Sequence, residues 1–194
     1  GEHCKRLGVH FNFAPVVDVN NNPKNPVINN RSFGEDRNNV AAKSYQYMLG
    51  MQDAGMIACA KHFPGHGDTD ADSHYELPVI NHDRKRLDSI ELYPFQIMMD
   101  RGVASVMVAH LQVPALESRK NRPTSLSRKV VTGLLRDTMG YDGIIITDGM
   151  EMEAVTKHYK PGVAEAEAIL AGNDMICLPR NVKTAVRAIR YYVK

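Results

Sequence analysis

The chain has little excess of either charge. Its 24 Lys and Arg stand against 22 Asp and Glu, a formal net charge of +2 over 194 residues. The one-sided basicity of a chain that lives on phosphate backbones is missing, so nucleic acid is not an expected partner. Long apolar runs are missing too: stretches such as residues 106–109 and 143–146 are a few residues long, against the roughly 20 needed to cross a bilayer. Cysteine is scarce. Cys4, Cys59 and Cys177 are an odd, widely spaced set with no C-x-x-C pair, which speaks against a disulfide framework or a thiolate zinc cage; two of the three sit inside apolar runs, where a buried thiol is expected. There is no Gly-rich phosphate turn after the first apolar run and no H-E-x-x-H. What is present is an ordinary composition: 43% hydrophobic and 7% aromatic residues are enough to bury a core.

The chain opens on Gly1 and a short helix-like stretch before Val9, and is read as an internal piece of a longer protein. Any export signal would then lie upstream, so both a cytoplasmic and a secreted or cell-surface location are compatible with these residues.

Five short runs rich in β-branched residues read as strands, over 9–19, 56–60, 103–109, 143–147 and 174–178. Helical periodicity fills the intervals. Residues 38–54 place Val40, Tyr47, Met48 and Met51 on one face. Residues 87–101 are helical in pattern, with Pro94 expected to kink the helix or start it afresh. Ser127 is the expected N-cap of a helix carrying Val130, Val131, Leu134, Leu135 and Met139 and closed by Gly140. Two more helices are expected over 162–171 and 182–193.

Strand and helix in alternation without tight hairpin signals predict parallel strands covered on both faces, an α/β fold. The strands end near residues 18, 62, 110, 148 and 178, a spacing compatible with the βα units of a (β/α)₈ barrel and its loop insertions. Asp18, Lys61 with His62, His110 and Asp148 fall at those ends, the face where barrel enzymes place their chemistry. Five units do not close eight strands. The expectation is a barrel fragment lacking its opening strands.

The densest polar stretch is Lys61-His62-Phe63-Pro64-Gly65-His66-Gly67-Asp68-Thr69-Asp70-Ala71-Asp72-Ser73-His74. Asp68, Asp70 and Asp72 imitate the opening of a calcium loop, but Ser73 stands where that loop needs Gly and Val79 where it needs a bidentate Glu. His62, His66, Asp72 and His74 are metal-ligand types without a ligand-set spacing, and no metal is expected. Asp72-Ser73-His74 fits another use: a carboxylate two residues from an imidazole can fix its tautomer and leave the other nitrogen to pass a proton. Asp148 ends the run Ile144-Ile145-Ile146-Thr147, with Glu151 and Glu153 as further carboxylates close by. Arg31, Lys61 and His62 offer donors for the oxygens of a polar ligand, although Arg31 is equally suited to pair with Glu35 or Asp36.

In that order and spacing, Lys61-His62-Phe63-Pro64-Gly65-His66-Gly67, Asp72-Ser73-His74 and Ile146-Thr147-Asp148-Gly149-Met150-Glu151-Met152 resemble glycoside hydrolase family 3, in particular its bacterial β-N-acetylglucosaminidases. Asn12-Phe13-Ala14-Pro15-Val16-Val17-Asp18-Val19-Asn20 and Arg31-Ser32-Phe33-Gly34-Glu35-Asp36 match the same family. The resemblance implies that residues 1–194 are part of the family's N-terminal catalytic barrel domain. It implies Asp148 as the nucleophile, His74 as general acid/base held by Asp72, and Arg31, Lys61 and His62 as sugar-binding residues. Lys61 is expected to help hold Asp148 ionised. The implied activity is retaining hydrolysis of terminal β-linked N-acetylglucosamine from chitooligosaccharides or peptidoglycan fragments, with no metal or organic cofactor and a small carbohydrate as partner. The alternatives are phosphorolysis on the same site and a catalytically silent sugar-binding barrel.

Overall fold

The computed structural model describes residues 1–73 and 75–193. After a short helix α1 (Glu2–Arg6), five strands follow in chain order: β1 (Phe11–Asn12), β2 (Ile57–Phe63), β3 (Ser105–Val108), β4 (Ile144–Gly149) and β5 (Met175–Cys177). Each pairs in parallel with its predecessor, so the sheet order is β1-β2-β3-β4-β5. A doubly wound sheet reverses its strand order at a switch point, whereas this one runs on in one direction as an arc of a βα barrel does. The expected fold class is observed.

The first strand departs from expectation. Only Phe11 and Asn12 form ladder with β2, because Pro15 brings no N–H to the sheet. The segment nevertheless stays beside β2: the Ala14 carbonyl accepts the Cys59 N–H at 2.8 Å and the Val17 N–H reaches the Lys61 carbonyl at 2.6 Å. Asp18 is thereby carried to the same level as Lys61 and His62.

Helices α2 (Arg37–Gln52), α3 (Arg84–Ser89) and α4 (Leu92–Asp100) connect the first three strands. Asp36 caps α2 by accepting the Asn39 N–H at 2.8 Å. The helix expected over 87–101 is two helices broken at Ile90 and Glu91, and Pro94 sits in the first turn of α4, where a missing N–H breaks no helical bond. A wide π-helix (Lys129–Thr138) precedes β4, with the Met139 N–H bonded to the Leu134 carbonyl five residues back. Ser127 is not its side-chain cap. Its hydroxyl donates to Glu117 Oε2 at 2.7 Å, and its carbonyl instead accepts the N–H groups of Val130 and Val131. Then come α5 (Glu153–Thr156), α6 (Val163–Ala171) and, after β5, α7 (Val182–Tyr192).

Alternation along the strands sorts side chains between two cores. Ala58 and Ala60 of β2, Val106 and Val108 of β3 and Ile145 of β4 pack outward against Met48 and Met51 of α2 and Phe95 and Met98 of α4, and Phe63 joins them beyond a register shift in β2. Cys59, Met107, Ile146 and Cys177 meet on the opposite, inner face. Two residues further along, the same alternation puts Lys61 of β2 and Asp148 of β4 on that inner face, at the C-terminal ends of their strands.

Candidate active site

A cavity of about 220 Å³ opens at these strand ends, and Arg31, Lys61, His62, His66, Ser73 and Asp148 are among the residues lining it. Four of the six residues singled out from sequence, Arg31, Lys61, His62 and Asp148, therefore share one space. Asp72 immediately precedes the cavity-lining Ser73. His74 lies outside the described residues.

Asp18 organises the floor from behind. It is fully buried, and its Oδ1 accepts the His66 N–H at 2.6 Å and the His62 N–H at 3.2 Å, while Oδ2 accepts Nδ1–H of His62 at 2.7 Å. Burial by itself would raise its pKa, but the His62 ring and the bonds from His62 and His66 outweigh that and hold the carboxyl below its usual range. With Nδ1–H committed to Asp18, Nε2 of His62 is left to accept from Arg31 Nη2 at 3.3 Å, since a guanidinium has only donors. Arg31 also donates to the Val27 carbonyl at 3.1 Å. It does not pair with Glu35 or Asp36, the latter being the α2 cap.

Asp148 sits at the end of β4 with the Gly149 N–H on its Oδ1 at 2.8 Å. Burial again opposes ionisation, and the His62 and His110 rings together with that N–H overcome it, so Asp148 is held below the ordinary carboxylate range. Lys61 forms no direct ion pair with it. The Lys61 ammonium is pushed below its usual pKa, first by burial and then by Arg31. Asp148 pulls that pKa back up, so the two charges favour each other, while the larger contributions to Asp148 come from the two imidazoles and the main chain.

His110 is a fastening. Its Nε2–H donates to the Gly149 carbonyl at 3.0 Å, which leaves Nδ1 to accept from Ser125 Oγ at 2.6 Å. Burial lowers its pKa, and its two hydrogen bonds hold the turn beside Asp148 fixed. Of the other carboxylates near Asp148, Glu151 is exposed at the cavity rim and Glu153 pairs with Lys157 at 2.8 Å.

The loop after β2 is tied to the loop after β1. Asn25 Nδ2 donates to the His66 carbonyl at 2.8 Å and to Thr69 Oγ1 at 3.2 Å, and the Asn22 N–H reaches the Gly67 carbonyl at 3.3 Å. Gly67 is required here by close approach: a Cβ would lie 1.8 Å from the Val19 carbonyl oxygen.

The Asp68–Asp70–Asp72 run does not converge on a cation. Asp68 Oδ2 takes the His82 Nε2 proton at 2.6 Å and faces Arg86 Nη2 at 3.4 Å, while Asp70 is exposed. Asp68, His82 and Glu91 bring donor atoms within 4.8 Å of one another, but the Arg86 guanidinium already lies against both carboxylates, at 3.4 and 3.1 Å. Asp18, Ser73 and His110 are site residues to which the sequence assigned no role. The signal for Asp18 was its place at the end of Ala14-Pro15-Val16-Val17, level with the other strand-end polar residues.

A parallel barrel arc with an ionised Asp and a set of cationic and imidazole donors at its C-terminal rim defines a class of polar-ligand barrel sites. The comparisons with known proteins make it specific. Residues 1–194 match the glycosyl hydrolase family 3 N terminal domain, and the chain belongs to that family. It is 37% identical over 201 residues to beta-hexosaminidase A of Pseudoalteromonas piscicida, covering 98% of this chain and 34% of that protein. A solved glycoside hydrolase family 3 beta-N-acetylglucosaminidase from Paenibacillus sp. str. FPU-7 superposes with a TM-score of 0.95 at 46% identity, over 97% of this chain and 36% of that one. The beta-glucoside phosphorylase BglX superposes with a TM-score of 0.93 at 26% identity, over 98% and 36%. The chain spans about a third of the length of these relatives.

Proposed function

We propose that residues 1–194 form part of the N-terminal catalytic barrel of a retaining β-N-acetylglucosaminidase that releases terminal β-linked N-acetylglucosamine from chitooligosaccharides or peptidoglycan fragments. The observation that carries the reading is Asp148, held ionised at the floor of a cavity shared with Arg31, Lys61 and His62. Its support from relatives is the beta-hexosaminidase and beta-N-acetylglucosaminidase names of the proteins this chain resembles.

Asp148 attacks the anomeric carbon and forms an ester as the glycosidic bond breaks, while His74 gives its proton to the departing oxygen. In the second half His74 takes a proton from water, the water oxygen displaces Asp148 from C1, and the original anomeric configuration is restored. Asp72 steadies the imidazole through both halves. Arg31, Lys61 and His62 bind ring hydroxyls, and a cationic lysine among them lies within reach of the charge on the nucleophile.

The test is hydrolysis of an aryl β-N-acetylglucosaminide by the full chain, alone and as Asp148→Ala. Loss of more than about 10⁴-fold in kcat is expected for the variant, with the β-anomer as first product by NMR. Comparable rates for the two proteins remove Asp148 as nucleophile, and the α-anomer removes retention. The likeness to a beta-glucoside phosphorylase supports a second reading, transfer of the glycosyl group to phosphate. A neutral imidazole in place of a second carboxylate lets an anion approach. Sugar 1-phosphate as the main product in phosphate buffer would establish that reading over hydrolysis.

A further inference from the structure

His66 lies in the middle of the loop after β2 and is 1% exposed. Its own place is set by the main chain: its N–H is on Asp18 at 2.6 Å and its carbonyl accepts Asn25 Nδ2 at 2.8 Å. The His62 ring stands edge-on to it with centroids 5.9 Å apart. From that fixed base the imidazole reaches forward in sequence with both nitrogens. Nδ1 bonds Thr69 Oγ1 at 2.8 Å and Nε2 bonds Ser73 Oγ at 3.2 Å. A neutral ring has one N–H and one lone pair, and a hydroxyl either gives or takes, so both bonds are satisfied without placing a charge in the interior. Burial pushes the pKa of His66 down to about 4, so the ring stays neutral through the neutral range.

Thr69 and Ser73 are themselves buried, whereas Asp70, Ala71 and Asp72 between them are more exposed. The segment from Gly67 to Ser73 belongs to no helix or strand, so side-chain bonds take the place of a backbone ladder in holding it. Ser73 is the residue between Asp72 and position 74, and with His66 it lines the Asp148 cavity.

We propose that His66 is a positioning residue: its ring clamps Ser73, and through Ser73 sets the distance of the Asp72 segment from Asp148. The chain of support then runs from Asp18 through His66 to Ser73, so one buried carboxylate places both His62 in the sugar-binding wall and the segment that carries proton transfer. This rests on the function proposed above, in which His74, steadied by Asp72, is the general acid.

A misplaced acid slows departure of poor leaving groups and spares good ones, whereas a general loosening of the site slows both. The experiment therefore compares kcat/KM of the full chain for phenyl and 2,4-dinitrophenyl β-N-acetylglucosaminides. The proteins are wild type, Ser73→Ala, Ser73→Thr, His66→Phe and the double variant His66→Phe/Ser73→Ala, each checked for an unchanged circular dichroism spectrum. Ser73→Ala and His66→Phe are expected to lose roughly 10²-fold on the phenyl substrate, the scale of a displacement of about 1 Å, and less than about threefold on the dinitrophenyl one. The double variant is expected to be no worse than His66→Phe, and Ser73→Thr, which keeps the hydroxyl, to stay within about threefold of wild type. Equal losses on both substrates, or losses that multiply in the double variant, overturn the clamp. If His66→Phe does not fold, the leaving-group dependence of Ser73→Ala decides alone. A wild-type chain inactive on both substrates overturns the functional reading first and this inference with it, which keeps the two failures distinct.

Discussion

Replacing Asp18 by Asn changes one atom and removes one charge, and the surrounding donors set the consequence. Three of them converge on this carboxylate out of contact with water: the N–H groups of His62 and His66 and Nδ1–H of His62. An amide offers one oxygen. If that oxygen keeps the two main-chain N–H groups, the new NH₂ faces Nδ1 of His62 and forces the ring proton onto Nε2, where it meets the donors of Arg31 3.3 Å away. Hydrogen bonds to a charged group contribute about 1.5–3 kcal/mol each, so removing the charge under these three costs several kcal/mol. The amide recovers part of that as neutral hydrogen bonds, leaving a loss of about 3 kcal/mol. For a chain of this size that lowers Tm by roughly 6–12 °C. Urea and thermal unfolding at pH 7 measure the loss, and nitrogen NMR of the His62 ring reads the tautomer. A loss under about 1 kcal/mol with the proton still on Nδ1 would refute the reasoning. The sign with pH is also set: the Asp18 carboxyl is held below its ordinary value, so its contribution is present above about pH 4 and lost as pH falls through the folded-state value. The Asn variant lacks that acid limb.

His66 acts in a different window. Its folded-state pKa of about 4 lies below the ordinary histidine value, so the unfolded chain binds the proton first and stability falls as pH drops from about 6.5 towards 4. The loss approaches about 3 kcal/mol; urea unfolding at pH 7, 5.5 and 4.5 should show it in wild type and not in His66→Phe, and parallel curves would contradict it. Gly67→Ala drives a Cβ into the Val19 carbonyl and should cost at least about 2 kcal/mol. At Gly149 the nearest atom to a new Cβ is 3.5 Å away, so Gly149→Ala should unfold within about 1 kcal/mol of wild type. Similar losses for the two would remove the close-approach account of Gly67. Arg31→Ala deletes a charged donor from the cavity wall and should weaken binding of free N-acetylglucosamine by roughly tenfold or more, measured by calorimetry. Unchanged affinity would place the sugar elsewhere.

Residue order was enough to establish much of this. Short β-branched runs separated by helical periodicity specify parallel strands, because a strand buried on both faces needs apolar residues at every position. Polar residues that end such runs then have one place to go, the C-terminal rim. That is how Lys61, His62 and Asp148 could be assigned to a common face before any coordinates. The motifs around them were specific enough to point to the family that the later matches bear out. The reading was weaker where local pattern and chain geometry disagree. The strand expected over 9–19 shrank to two ladder residues because Pro15 has no N–H to give, and Ser127 looked like a cap while its hydroxyl was needed by Glu117.

The partners of each polar group were decided by the tertiary structure. Nothing in the spacing of Asp18, His62 and His66, separated by 44 and 48 residues in sequence, says that one carboxylate takes three donors, or that imidazoles and a main-chain N–H do more than Lys61 to keep Asp148 ionised. Hydrogen bonds and charge interactions depend on separations of a few ångströms and on burial. The chain brings those groups together only when the β1 and β2 loops pack against one another. Sequence therefore determined which residues reach the rim, through periodicity that acts locally, and the fold determined which of them touch.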